Sequence, residues 1–423
     1  MSQLLTASRF AADVFTLGNG LTVIHQQVPA TPVVVVDVWV KAGACTEPEE
    51  WCGMAHFLEH MIFKGTNLLA PGVFDEVIEN RGGVSNAATS HDYAHFFITT
   101  AAQYLEDTLP ALAELLLNAA IPEAEFGRER DVVLEELRSC YDNPDYVGFQ
   151  ALTESIYQRH PYGRPILGTE AHLMEHCPEK MRSFHQHHYQ PENITVAIVG
   201  GVAKEPALEL VNRSFQNFCP RVDFPRVEAE AEPPLTEIRR QELYLPRLEQ
   251  SRLLMGWIGP GVDRVGDAYG LDLLSVLLAE GRCSRLVREL REEQGLVQGV
   301  SSGFSLQRDS SLFTISACLE AQRLEQVEAL IRDRIYQLQT MPVSEAELNR
   351  CKRLLCNDYA FSTEAPSQLA GLYGYYNTIA SAELAVTYPE QIQRLKPEDL
   401  QQLAQQYLSP HYYAVTVLQP SWW

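Results

Sequence analysis

The chain reads as one design used twice, and that duplication constrains its fold more than any other feature. A Pro- and Glu-rich segment from Cys219 to Thr236 has little apolar periodicity and divides the chain as an extended linker. On either side the same signals return in the same order. Val38-Trp39-Val40-Lys41-Ala42-Gly43 matches Gly256-Trp257-Ile258-Gly259-Pro260-Gly261, each a strand, a Gly turn and then a helix. Ile121-Pro122 with Glu123-Ala124-Glu125-Phe126 is echoed by Met341-Pro342 with Glu345-Ala346-Glu347-Leu348. Tyr189-Gln190-Pro191 precedes an apolar strand, Ile194 to Val199, as Leu408-Ser409-Pro410 precedes Ala414 to Leu418. A repeat of this length predicts two domains of one fold, residues 1–218 and 237–423, joined by 219–236. The 423 residues also exceed what a single core usually supports.

Within each half the expected order is strands, then long helices, then a closing strand. Leu21 to Gln27 and Val33 to Lys41 alternate or run apolar, and Ser85 to Thr100 carries another strand pair. Helical periodicity fills Phe57 to Phe63, Gln103 to Ala119, Glu123 to Cys140 and Tyr146 to Gln158. The mixture predicts an α+β class, with helices laid on a mainly antiparallel sheet in each domain. A formal net charge of −22 and the lack of a basic stripe exclude nucleic acid as a partner. No run is apolar enough to span a membrane, since Val33 to Val40 is interrupted by Asp37. Met1 to Gly20 has neither the basic nor the apolar region of a leader. Nine cysteines without a C-x-x-C pair point to reduced thiols and a cytoplasmic setting.

The chemistry is concentrated in His56-Phe57-Leu58-Glu59-His60. On a helix, residues four apart lie one above the other, so His56 and His60 can reach one tetrahedral zinc ion. Glu59 projects to the same face, where it can touch water at the metal rather than the metal. The order is the reverse of the His-Glu-x-x-His zinc-protease motif. A solvated amphipathic face is the plain alternative. The flanks Met54, Ala55, Met61, Ile62 and Phe63 argue against it, because burying two imidazoles and a carboxylate among them is costly unless they are paired or metal-bound. The repeat supplies a control: the offset that carries Trp39 to Trp257 puts Leu274, Leu277 and Leu278 where His56, Glu59 and His60 stand. One half holds the chemistry; its sister does without.

Catalytic zinc usually takes three protein ligands. The segment Glu129-Arg130-Asp131-Val132-Val133-Leu134-Glu135-Glu136-Leu137 offers the third, with Glu129 and Glu136 on one helical face and Glu135 off it. Spacing alone does not choose among these carboxylates.

Taken together, the motifs resemble the pitrilysin and insulysin zinc peptidases, most closely the mitochondrial-processing-peptidase branch and its bacterial relatives. The resemblance covers nearly the whole chain. It rests on Leu17-Gly18-Asn19-Gly20-Leu21, on Ala55 to Met61 with Phe63-Lys64-Gly65-Thr66, and on Asn86-Ala87 with Thr89. It continues through Glu129-Arg130, Val133-Leu134-Glu135-Glu136 and Tyr162-Gly163-Arg164-Pro165-Ile166-Leu167-Gly168-Thr169. By that resemblance His56, His60 and Glu136 match the ligands of one zinc ion, Glu59 the general base, and Glu129 a further acid that orients ligands and water. It also implies two like domains closing as a clamshell around a chamber, and a peptide substrate laid along the strand that carries Asn86 and Ala87. The family's second domain often supplies an Arg and, seven residues on, a Tyr that grip the substrate. Here Arg291 is kept but Gln298 stands at the Tyr position. In paired members one subunit carries zinc and its partner the Arg/Tyr pair, so the resemblance implies a homodimer or a heterodimer with a related subunit. Some relatives have become non-catalytic scaffolds, but those tend to lose the ligands that this chain keeps.

Overall fold

Runs of Val and Ile form the centres of two sheets in a computed structural model of the chain, which describes residues 11–421 apart from 226, 228 and 247. The first sheet is built from β1 (Asp13–Thr16), β2 (Thr22–Gln27), β3 (Val33–Val40), β4 (Val84–Thr89), β5 (Ala94–Ala101) and β6 (Ile194–Gly200). Its order is β1-β2-β6-β3-β5-β4, with β4 at an edge and only the β2/β6 pair parallel. The second sheet holds β7 (Arg239–Leu245), β8 (Ser251–Gly259), β9 (Val297–Leu306), β10 (Ser311–Leu319) and β11 (Ala414–Pro420). Its order is β7-β11-β8-β10-β9, again with one parallel pair, β7/β11. Without β1 the two orders correspond strand for strand, so the repeat read from the sequence is a repeat of topology. Both units are α+β with largely antiparallel sheets.

Alternation along β3 decides what each face of the first sheet meets. Val34, Val36, Val38 and Val40 enter the core shared with helices Met54–Ile62 and Leu105–Leu117. Val35 joins Tyr373 of helix Pro366–Ile379 in a second cluster on the opposite face. That helix passes so close to β3 that a Cβ on Gly374 would stand 2.1 Å from Trp39 Nε1. Glycine is required there by the approach alone.

The compact units are not simple halves of the chain. The first comprises the described residues up to Arg138, Arg164–Ala229 and Phe361–Val386; the second comprises Ser139–Gly163, Glu230–Ala360 and the described residues from Thr387. Helix Pro144–Ile156 therefore belongs to the second unit, where it packs on β7, β8 and β11. Its counterpart in the repeat, Pro366–Ile379, belongs to the first. An apolar helical face needs a sheet to cover, and either sheet satisfies it. Residues 219–236 form neither helix nor strand among those described, with 226 and 228 outside the description; 1–218, 219–236 and 237–423 remain the proposed bounds of the repeated sequence. Ten residues of the stretch read for a leader also lie outside it. No helix among the described residues is long and apolar enough to cross a membrane, and no disulfide joins any of the nine cysteines.

Three histidines of the first unit are folded in as neutral rings. His185 Nε2 donates to the Leu116 carbonyl at 2.7 Å and His176 Nε2 to that of Cys52 at 3.2 Å. Burial drives His176 and His185 down to about 4 and His188 to about 3, from 6.5. A folded-state value below the unfolded one means stability that is present above pH 6.5 and is lost as pH falls toward 4. Crossing the whole range costs about 3 kcal/mol for His176 or His185, and more for His188. The thermal midpoint is expected to fall steadily between pH 6.5 and 4, and His185→Gln to remove roughly a third of that slope. A midpoint flat over this range would contradict the assignment.

Candidate metal centre

The helix Met54–Ile62 is apolar except where it turns His56, Glu59 and His60 outward together. Met54, Ala55, Phe57, Leu58, Met61 and Ile62 are buried in the first core, which fixes the helix's rotation and so the direction of the polar face. Its entry is unusual. Gly53 has φ 88° and no side-chain cap, and a Cβ there would meet the Leu167 carbonyl at 2.6 Å. The orphan amides at this end are satisfied instead by Glu47, which is fully buried. Its Oε2 accepts from Gly53 N at 2.9 Å and its Oε1 from Ala55 N at 2.7 Å. Burial pushes the Glu47 carboxyl up to about 8, while the amides and the Arg164 charge pull it down. A carboxylate at a helix N-terminus is also favoured by the macrodipole. Arg164 donates to the Glu47 main-chain carbonyl at 3.2 Å, which ties the segment before Gly168 to the loop that leads into the helix.

The helix Glu123–Tyr141 brings the carboxylates. Phe126, Val133, Leu134 and Leu137 bury its apolar side, and the Phe126 ring packs on Phe57 with centroids 4.7 Å apart. That contact docks the two helices so that Glu129 and Glu136 face the imidazoles. Glu136 Oε1 lies 3.6 Å from His56 Nε2, and its Oε2 lies 3.3 Å from His60 Nε2. One donor atom from each of the three residues falls within 4.8 Å of the others, the one such group of three among the described residues. Glu135 instead points to solvent and pairs with Arg138. Of the carboxylates that spacing left open, Glu136 is the one that approaches both imidazoles.

The donor set fits a metal ion. A tetrahedral zinc with N and O donors at about 2.0–2.1 Å requires donor–donor separations of about 3.3 Å. Borderline-soft imidazole nitrogens and a carboxylate suit it chemically. His60 is prepared for it: Nδ1 donates to Glu129 Oε1 at 3.0 Å, which leaves the Nε2 lone pair on the Glu136 side. Glu129 is buried, and its Oε2 is held by Lys64 Nζ at 2.7 Å. His56 Nδ1, by contrast, is buried without a hydrogen-bond partner among the described residues. Burial alone would lower the pKa of His60, but Glu136 and Glu129 outweigh it and hold the imidazole above its ordinary value. The adjacent His56 and then His60 imidazoles hold the Glu136 carboxyl well below its ordinary range. Such a group attracts positive charge, as protons or as a metal cation.

Glu59 does not join the three. Its Oε2 accepts from Thr89 Oγ1 at 2.6 Å, and Thr89 is the last residue of β4. Asn86 is exposed on this edge strand, and its Oδ1 takes up the Ala87 N–H at 2.9 Å. Arg291 lies in the second unit, in a π-helical turn Val287–Glu293, with its guanidinium on Glu292 at 2.6 Å. Gln298 is exposed there, its Oε1 3.6 Å from Cys318 Sγ. Sequence reasoning passed over Glu47, Lys64 and the role of Thr89. Only Lys64 and Thr89 stood in recognisable motifs; nothing in the spacing marks Glu47 as a helix cap.

The chain is similar to known proteins along nearly its whole length. Residues 22–170 match the model of the insulinase family, peptidase family M16, and residues 177–355 match that of the peptidase M16 inactive domain. The zinc protease PqqE of Helicobacter pylori is 30% identical over 412 residues, 96% of this chain and 92% of its own. The uncharacterized zinc protease YmxG of Bacillus subtilis is 27% identical over 96% of this chain and 98% of its own. The crystal structure of a protease from Helicobacter pylori superposes with a TM-score of 0.89 at 29% identity, covering 97% of this chain and 99% of that one. With both of its repeated halves matched and relatives aligned along nearly its whole length, the chain belongs to peptidase family M16, the pitrilysin-like family.

Proposed function

We propose that the chain is a zinc metalloendopeptidase that hydrolyses unfolded peptides or presequence-like segments. The observation that carries this is the convergence of His56, His60 and Glu136 from two helices, one donor atom of each within 4.8 Å of the others. These residues would hold one ion per chain. When bound, zinc supplies Lewis acidity, bringing the pKa of water toward neutrality and polarising a carbonyl. Glu59 takes the proton of the attacking water and delivers it to the leaving amine nitrogen. Glu129, itself fixed by Lys64, keeps His60 in the tautomer that offers Nε2. The free edge of β4 receives the peptide as an added strand, with the Asn86 side chain yielding the Ala87 N–H to the substrate backbone. Arg291 is the proposed second-unit contact to substrate. Nine cysteines without a disulfide support the cytoplasmic placement.

A second reading has its own observation. Arg291 is engaged by Glu292, and the family's Tyr position holds Gln298, a flexible amide. The chain would then be the zinc-bearing member of a dimer and need a related subunit for the Arg/Tyr pair. A non-catalytic scaffold has no use for so complete a donor set. Purified protein incubated alone with a quenched unfolded peptide is expected to cleave it, to stop on chelation and to recover with added zinc. Cleavage only after a related subunit is added selects the dimer reading, and cleavage indifferent to chelation overturns both.

A further inference from the structure

We propose that Thr89 is the positioning residue for Glu59, fixing which carboxylate oxygen is free to take a proton. The inference rests on the reading of Glu59 as the base. Thr89 Oγ1 lies 2.6 Å from Glu59 Oε2, the length of an O–H···O⁻ bond, and the hydroxyl must be the donor because an ionised carboxylate only accepts. It is the one hydrogen bond found on the Glu59 carboxylate among the described residues. Without it a long, half-buried side chain has several staggered arrangements open to it.

The donor, by contrast, stands on rigid backbone. Thr89 pairs with Ala94 at the end of the β4/β5 ladder, and the next residue closes the hairpin through Ser90 N to the Tyr93 carbonyl at 2.7 Å. The Ser90 carbonyl accepts in turn from Ala44 N at 3.1 Å. Alternation along β4 puts Ser85, Ala87 and Thr89 on one face, and Ala87 packs against the core that buries the His-bearing helix. Branching at Cβ restricts Thr89 further at χ1. The hydroxyl is thus held by the sheet while the carboxylate is held by the helix. The bond couples the strand proposed to receive peptide to the proposed base, without touching His56, His60 or Glu136.

This geometry separates the effects of a substitution. Occupying Oε2 leaves Oε1 as the proton acceptor, so losing the bond misplaces the base but leaves the metal donors and the peptide edge as they were. Thr89→Val keeps the shape and deletes the donor. It is expected to lower kcat about 10–100-fold, with KM within about twofold of wild type and zinc content unchanged. Thr89→Ser is expected to restore kcat to within about threefold. In a Glu59→Gln background Thr89→Val is expected to have no further effect. Binding of an uncleavable backbone-modified peptide to zinc-depleted protein is expected to match between wild type and Thr89→Val.

Three results would overturn the inference. One is an unchanged kcat in Thr89→Val. Another is a joint loss of kcat, peptide affinity and thermal midpoint that Thr89→Ser fails to rescue, which makes the bond a strand tether. The third is a full additional loss in the Glu59→Gln background. If Glu59→Gln itself turns over normally, the reading of the base falls and takes this inference with it. If Glu59→Gln is inactive and Thr89→Val fully active, only the role of Thr89 falls.

Discussion

Glu59→Gln is expected to lower kcat by about 10²–10⁴-fold while zinc content stays at the wild-type value. The amide has the volume of the carboxylate and can still accept from Thr89 Oγ1, so the local packing survives. What it loses is the capacity to take a proton from water. Glu59 stands outside the His-His-Glu group, so its neutralisation removes no metal donor. Side-by-side elemental analysis and initial rates on an unfolded peptide decide the matter. Turnover near the wild-type rate would remove Glu59 as the base, and loss of zinc with the activity would make it a ligand.

Glu136→Gln is expected to act one step earlier, on the metal. The carboxylate approaches both imidazole Nε2 atoms, at 3.6 and 3.3 Å, and it carries the only formal negative charge among the three donors. Removing a partner that merely orients a ligand typically costs 10–100-fold in metal affinity, so removing the ligand should cost at least about 100-fold. Zinc retained through dialysis should fall toward zero in Glu136→Gln. Glu135→Gln serves as the control: Glu135 is solvent-exposed and paired with Arg138, and its loss should leave occupancy unchanged. Equal zinc in both variants would mean that another carboxylate holds the ion.

Much of this was legible in the chain because local pattern and local structure share a cause. Alternating Val at β3 and the apolar flanks of His56 and His60 predicted a strand and a buried helix, and both formed within a few residues of the expected bounds. The repeat predicted one topology twice, as the two strand orders show. The third carboxylate was harder. Helical spacing places Glu129 and Glu136 on one face, but only the packing of Phe126 on Phe57 aims that face at the imidazoles. Contacts of this range have no periodic signature. Glu47 is invisible for the same reason, since it caps a helix from outside through a loop. The assignment of Pro144–Ile156 to the second unit and Pro366–Ile379 to the first was beyond reach as well. Periodicity says that a helix has an apolar face, not which of two similar sheets will cover it.

The proposed chemistry centres on a single ion held between these two helices. Diffraction from crystals of the purified protein, recorded just above and just below the zinc absorption edge, tests this directly. The expected result is one anomalous peak that vanishes below the edge, within about 2.0–2.2 Å of His56 Nε2, His60 Nε2 and a Glu136 oxygen. A zinc-replete crystal with no peak between these residues, or with Glu136 turned away from it, would contradict the account.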